Sequence, residues 1–180
     1  MPHRLHRLAL AVAVLLCCPL ATAAAAGYVL FFQSFGDWAT LCSRDEATGV
    51  TSCTADAPPP SLDGQPAVVV HVTEAEPGAF AVSVEFRANV APNASAALRV
   101  DGGADHMAAM DRNYVAVLDR AASSSMVAEM LTGRLLTVRV AGFGSDAAPI
   151  YVGVPLTSFP TALERMRANL RQYGTIRDSR

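Results

Sequence analysis

From residue 27 onward, large apolar side chains recur at every second position in short runs separated by turn-forming residues. Phe80, Val82, Val84 and Phe86 alternate with Ala81, Ser83, Glu85 and Arg87. Successive side chains of a strand point to opposite faces, so this spacing predicts a sheet with one packed and one wetter face. The pattern returns at Val68, Val70 and Val72, at Leu136, Val138 and Val140, and at Ile150, Val152, Val154 and Leu156. Segments 28–35, 38–42 and 114–118 also read as strands. The first of these is apolar on both faces and is expected to be central in its sheet.

Turn signals fall between the runs: Pro58-Pro59-Pro60 with Asp63-Gly64, Glu76-Pro77-Gly78, Ala91-Pro92-Asn93, Asp101-Gly102-Gly103 and Gly142 to Gly144. Spacings of about a dozen residues favour a β-sandwich or barrel over a βαβ repeat, whose strands are separated by long helical crossovers. The fold class expected is therefore mainly β, a single β-sandwich-like domain over 27–180. Two helices interrupt it. Ser125 is positioned to cap a short helix near 125–132 that Gly133 ends. A second helix, near 160–173, begins at a Thr161-to-Glu164 capping box, repeats Phe159, Leu163, Met166 and Leu170 at helical spacing, and stops at Gly174.

Residues 1–26 have the order of a signal peptide: Arg4 and Arg7, an apolar run from Leu8 to Leu20, then small residues to Ala26. Cleavage near Ala26 is expected, with export to the periplasm, the medium or the cell surface. An uncleaved anchor is the alternative, disfavoured because the run is short of the roughly 20 residues a span needs. Lipid attachment at Cys17 or Cys18 is weaker again, since Leu16 precedes them where a small residue is wanted. All 14 basic residues are arginines, and removal of Arg4 and Arg7 leaves 12 of them against 16 acidic residues, a net charge of −4. An acidic domain is a poor partner for nucleic acid, and none is expected.

Two cysteines remain beyond the leader, Cys42 and Cys53. In an exported domain they are expected to form a disulfide, closing a short hairpin loop. A redox or metal pair lacks both the C-x-x-C spacing and a nearby histidine.

Three stretches together resemble the invasion-associated locus B family of exported bacterial proteins. They are Phe35-Gly36-Asp37-Trp38 running into Cys42 and Cys53, Met126 to Leu131 followed by Gly133 to Val138, and Val152 to Phe159 leading into Ala162-Leu163. The resemblance implies a β-sandwich-like domain, export, and a role linked in some relatives to host-cell invasion, with no known reaction. One departure stands out. Many members carry a second cysteine pair in mid-chain, and the matching region, 111–122, has none.

Candidate chemistry is sparse. Trp38 reads as a core aromatic near the bridge, and Asp37 as a partner for local backbone amides. His71 and His106 are the histidines left after cleavage, and Ser123, Ser124 and Ser125 offer hydroxyls without a G-x-S-x-G turn, so the serines are read as helix caps. Asp101, Asp105 and His106 share a glycine-rich loop, but it lacks the far acidic residue of an EF-hand-type set, so a solvated turn is favoured and no metal or cofactor is expected. Asn93 heads a glycosylation sequon, relevant only in a host that glycosylates. Arg165, Arg167 and Arg171 form a basic face on the last helix: a solvated helix end, or a contact surface for an acidic partner or an anionic membrane. The expectation is a non-catalytic accessory or binding protein with a protein or cell-surface partner. A periplasmic hydrolase, and an inhibitor or chaperone-like module, are the alternatives.

Overall fold

The computed structural model describes residues 27–58, 68–87, 90, 91, 94–143 and 148–174. The leader, Pro59 to Gly64, Pro92-Asn93 and Gly144 lie outside them. Ten strands and two helices follow in the order β1 (Gly27–Phe35), β2 (Trp38–Asp45), β3 (Thr51–Ala57), β4 (Val68–Glu76), β5 (Ala79–Phe86), β6 (Ser95–Val100), β7 (His106–Met110), β8 (Val115–Val117), α1 (Arg120–Thr132), β9 (Leu135–Val140), β10 (Ile150–Pro155) and α2 (Phe159–Tyr173). The strands form one antiparallel sheet in the order β1-β2-β3-β4-β5-β8-β7-β6-β9-β10. The mainly β expectation holds.

The sheet curls so that its two halves share one core. Trp38 on β2 donates its indole N–H to the carbonyl of Pro155 on β10, at 2.8 Å, although these strands lie near opposite ends of the strand order. The alternating valines seen in the sequence supply the inner face: Val70, Val72, Val82, Val84 and Val138 are at most 1% exposed. Helix α2 lies over β1 to β3, and α1 over β5 and β6.

Three strands escaped the sequence reading: β3, β6 and β7. In TSCTADA and HMAAM the buried positions are held by Cys53, Ala55 and Ala108 rather than by large apolar residues, and in SAALRV the buried pair Leu98 and Val100 is too short a run to mark a strand by alternation. On β3 the small side chains leave room for α2 and give little periodic signal.

Three local expectations are corrected. Strand β1 is an edge strand, not a central one, and Tyr28, Val29 and Phe32 on it are 46%, 62% and 48% exposed. Helix α1 starts five residues before Ser125: Asp119 is its N-cap, accepting from the Ala122 amide at 2.8 Å. Carboxylates are good N-caps, and with Asp119 in place the serines fall inside the helix. Ser123 turns inward, accepting from the Val82 amide and donating to the Leu118 carbonyl. Helix α2 starts at Phe159 with Ser158 at the N-cap, Pro160 in the first turn and no side-chain cap bond. Thr161 is therefore already helical, and the capping box does not form. Proline, whose missing N–H would be unsatisfied there anyway, sets this start.

Gly133 does end α1, its amide bonding the Glu129 carbonyl at 2.8 Å. A side chain is excluded there by space, since a Cβ would stand 2.2 Å from Cγ1 of Val100.

Candidate functional site

Trp38 organises the join between sheet and last helix. It is fully buried, and its ring packs on Phe159 with centroids 4.6 Å apart and planes tilted by 55°. Two residues along the same strand face, Thr40 donates its hydroxyl to the Ala162 carbonyl at 2.8 Å. Phe159, Ala162, Leu163 and Met166 make the buried stripe of α2, close to the predicted spacing.

The preceding Gly36-Asp37 is a two-residue hairpin turn, with Phe35 and Trp38 paired across it. Gly36 has φ +61°, the positive value that a type II′ turn requires at its first central residue. Asp37 is exposed at the tip. The Phe-Gly-Asp-Trp segment thus sets the register of β1 on β2 and delivers Trp38 to the core.

Cys42 and Cys53 sit directly opposite one another on β2 and β3 and are joined by a disulfide. Their α-carbons are 4.1 Å apart, near the narrow spacing of an antiparallel pair, so the register itself brings the thiols within bonding range. Both residues are buried in the core.

The basic face of α2 is only partly free. Arg167 makes a two-toothed ion pair with Glu74, at 2.8 and 3.1 Å, and lies over the Phe80 ring at 5.0 Å. Burial would raise the Glu74 carboxyl, but the bonds from Arg167 and the Gly78 amide outweigh it and hold the group below its ordinary value. Arg171 is close enough to Glu74 to add to that effect. Arg165 is exposed and lies 6.0 Å over the Phe31 ring. A groove of about 630 Å³ runs between the end of α2 and the β4–β5 hairpin, with Glu74, Glu76, Arg167, Leu170 and Arg171 among its walls.

A second polar constellation crosses β3, β4 and β5. Thr54 donates to Asp56, whose other carboxylate oxygen meets Nδ1 of His71 at 2.9 Å, and Nε2 of His71 stands 3.5 Å from Glu85, itself paired with Arg87. Burial alone would push His71 down. The bonds and charges of Asp56 and Glu85 outweigh it and hold His71 above its ordinary value. With both ring nitrogens facing carboxylates, His71 has no free lone pair aimed at a hydroxyl. Sequence reading missed this group because Asp56 lies on an unrecognised strand.

The residues of the glycine-rich loop turn to separate tasks. Asp101 accepts from the amides of Arg134 and Leu135, Asp105 pairs with Arg139, and His106 bonds Glu129 on α1 at 2.9 Å. Among the described residues, no group of three or more His, Cys, Asp or Glu side chains is placed to hold a metal ion. Among them, too, no helix is long and apolar enough to cross a membrane.

No family profile matches the chain. No curated protein sequence matches it. Among solved structures, the fold is similar to that of invasion associated protein B from Bartonella henselae, with a TM-score of 0.63, 19% sequence identity, and coverage of 79% of this chain and 98% of that one. At that identity the likeness is one of architecture.

Proposed function

We propose that the chain is an exported, non-catalytic binding protein of the bacterial envelope or cell surface, delivered by a leader at 1–26 that is cleaved near Ala26. The observation that carries this reading is the buried Cys42–Cys53 disulfide, because such bonds persist in oxidising compartments and are rare in the cytosol. The likeness of fold to invasion associated protein B supports it, since that protein's name ties it to invasion. A non-catalytic role is supported by the carboxylates that face both ring nitrogens of His71. The contact surface assigned to a partner is the α2 side of the molecule, with Arg165, Arg167 and Arg171 on its helix.

Cell fractionation with mass spectrometry of the purified native protein tests the proposal. The expected result is a mature N-terminus near Gly27, oxidised Cys42 and Cys53, and a cross-linked partner on intact cells. A cytosolic protein with its first residues intact and both thiols free overturns it.

A further inference from the structure

The two edges of the sheet are unlike. Strand β10 is six residues long and ends in Pro155, which has no N–H and whose carbonyl is already taken by Trp38. Strand β1 is nine residues long, about 30 Å, and contains no proline and no charged side chain. Edge strands are ordinarily blunted by lysine, proline or shortness, because their unpaired backbone groups are a template for another strand. On β1 the one such device is a bulge between Val29 and Phe31, which leaves Phe31 to Phe35 in regular register on β2.

Beside this edge stands a cation. Arg165 lies over the Phe31 ring, is exposed, and pairs with no carboxylate among the described residues. Phe31 is the middle residue of β1, so a symmetric antiparallel pairing of two copies brings two Arg165 side chains near one another. That repulsion disfavours a second copy as the occupant. An extended segment bearing a carboxylate meets a complementary charge instead.

The geometry points to strand addition: the open edge of β1 takes up an extended segment of an acidic partner protein as an eleventh strand, its backbone completing the ladder and a carboxylate pairing with Arg165. The apolar side chains of the segment pack on Tyr28 and Phe31 on one side of the sheet and on Val29 and Phe32 on the other. This rests on the binding-protein reading above and names the class of partner.

The probe is a blocked nine-residue peptide of alternating valine and threonine with a central aspartate, alongside versions with asparagine or lysine there. Fluorescence anisotropy measures binding to the disulfide-bonded domain, and hydrogen exchange follows the β1 amides. The aspartate peptide is expected to bind about tenfold tighter than the lysine one at low salt and to slow exchange along β1. Arg165→Glu reverses that order. Val29→Lys combined with Phe32→Lys, both at exposed positions and so compatible with an unchanged circular dichroism spectrum, abolishes binding. The proposal is overturned by failure of all three peptides to bind at millimolar concentration, by binding indifferent to the charge at position 165, or by sedimentation showing a dimer of this chain that the two lysines dissolve. None of these removes a partner cross-linked on cells, so the binding-protein reading survives or fails separately.

Discussion

The indole N–H of Trp38 donates to the carbonyl oxygen of Pro155 across 2.8 Å, joining the second strand of the sheet to the last. Removing the donor while keeping an aromatic ring isolates that bond. Trp38→Phe is expected to cost about 0.5–1.5 kcal/mol, the net worth of an ordinary hydrogen bond, because the carbonyl of exposed Pro155 can turn to water instead. Trp38→Ala also empties the space against Phe159 and is expected to cost about 3–5 kcal/mol. Urea denaturation curves of the two variants measure the difference. A Trp38→Phe variant as stable as the wild type would mean that the bond to Pro155 contributes nothing.

Opening the Cys42–Cys53 bridge releases a short loop in the unfolded chain. In the chain-entropy picture the loss is about 2–3 kcal/mol. The double variant Cys42→Ala, Cys53→Ala should show that loss relative to the oxidised protein in parallel urea titrations. It should retain its fold, because strands β2 and β3 are neighbours with a full ladder of their own. A domain that fails to fold without the bridge contradicts this.

His71 gives stability a dependence on pH whose sign is fixed. Its folded-state value lies above the 6.5 of a free histidine, so the native protein holds the proton more tightly than the unfolded chain. The stabilisation is complete below 6.5 and fades as pH rises through the folded-state value. Replacing the histidine removes that slope. The stability gap between wild type and His71→Gln is expected to be wider at pH 5.5 than at pH 8.5, read from urea midpoints at both. A gap that widens toward alkaline pH contradicts the assignment.

Gly133 and Val100 compete for one volume. Gly133→Ala places a methyl where Val100 already stands and is expected to cost about 1–3 kcal/mol, the usual range for overpacking. Val100→Ala makes room. In the double variant the two effects should add to less than their sum, and strict additivity in a double-mutant cycle would exclude the clash.

The sequence was most informative where a large apolar side chain alternates with a polar one. Strands β4, β5, β9 and β10 are legible for that reason, while the stripe of α2 shows in its helical spacing and the stop at Gly133 in the glycine itself. Strand β3 was not, because Cys53 and Ala55 are too small to mark a face, and with it went Asp56 and the polar relay through His71. Tyr28 to Phe35 is apolar on both sides, which predicts a central strand, yet β1 lies at the edge. Alternation reports which residues are apolar and is silent on what covers them. The basic face of α2 is legible in the positions of Arg165, Arg167 and Arg171 opposite the apolar stripe, a pattern that cannot reveal that Glu74, far away in sequence, occupies Arg167.

The clasp of Thr40 on Ala162 and of Trp38 on Phe159 has a temporal side. The second strand finds its cover only in α2, 122 residues further along at Ala162, so a polypeptide emerging N-terminus first, from a ribosome or through a pore, stays unfinished until that helix is out. Vectorial passage then favours an all-at-once closure triggered by the arrival of α2. Loss of residues 159–180 should leave a species that no amount of waiting completes.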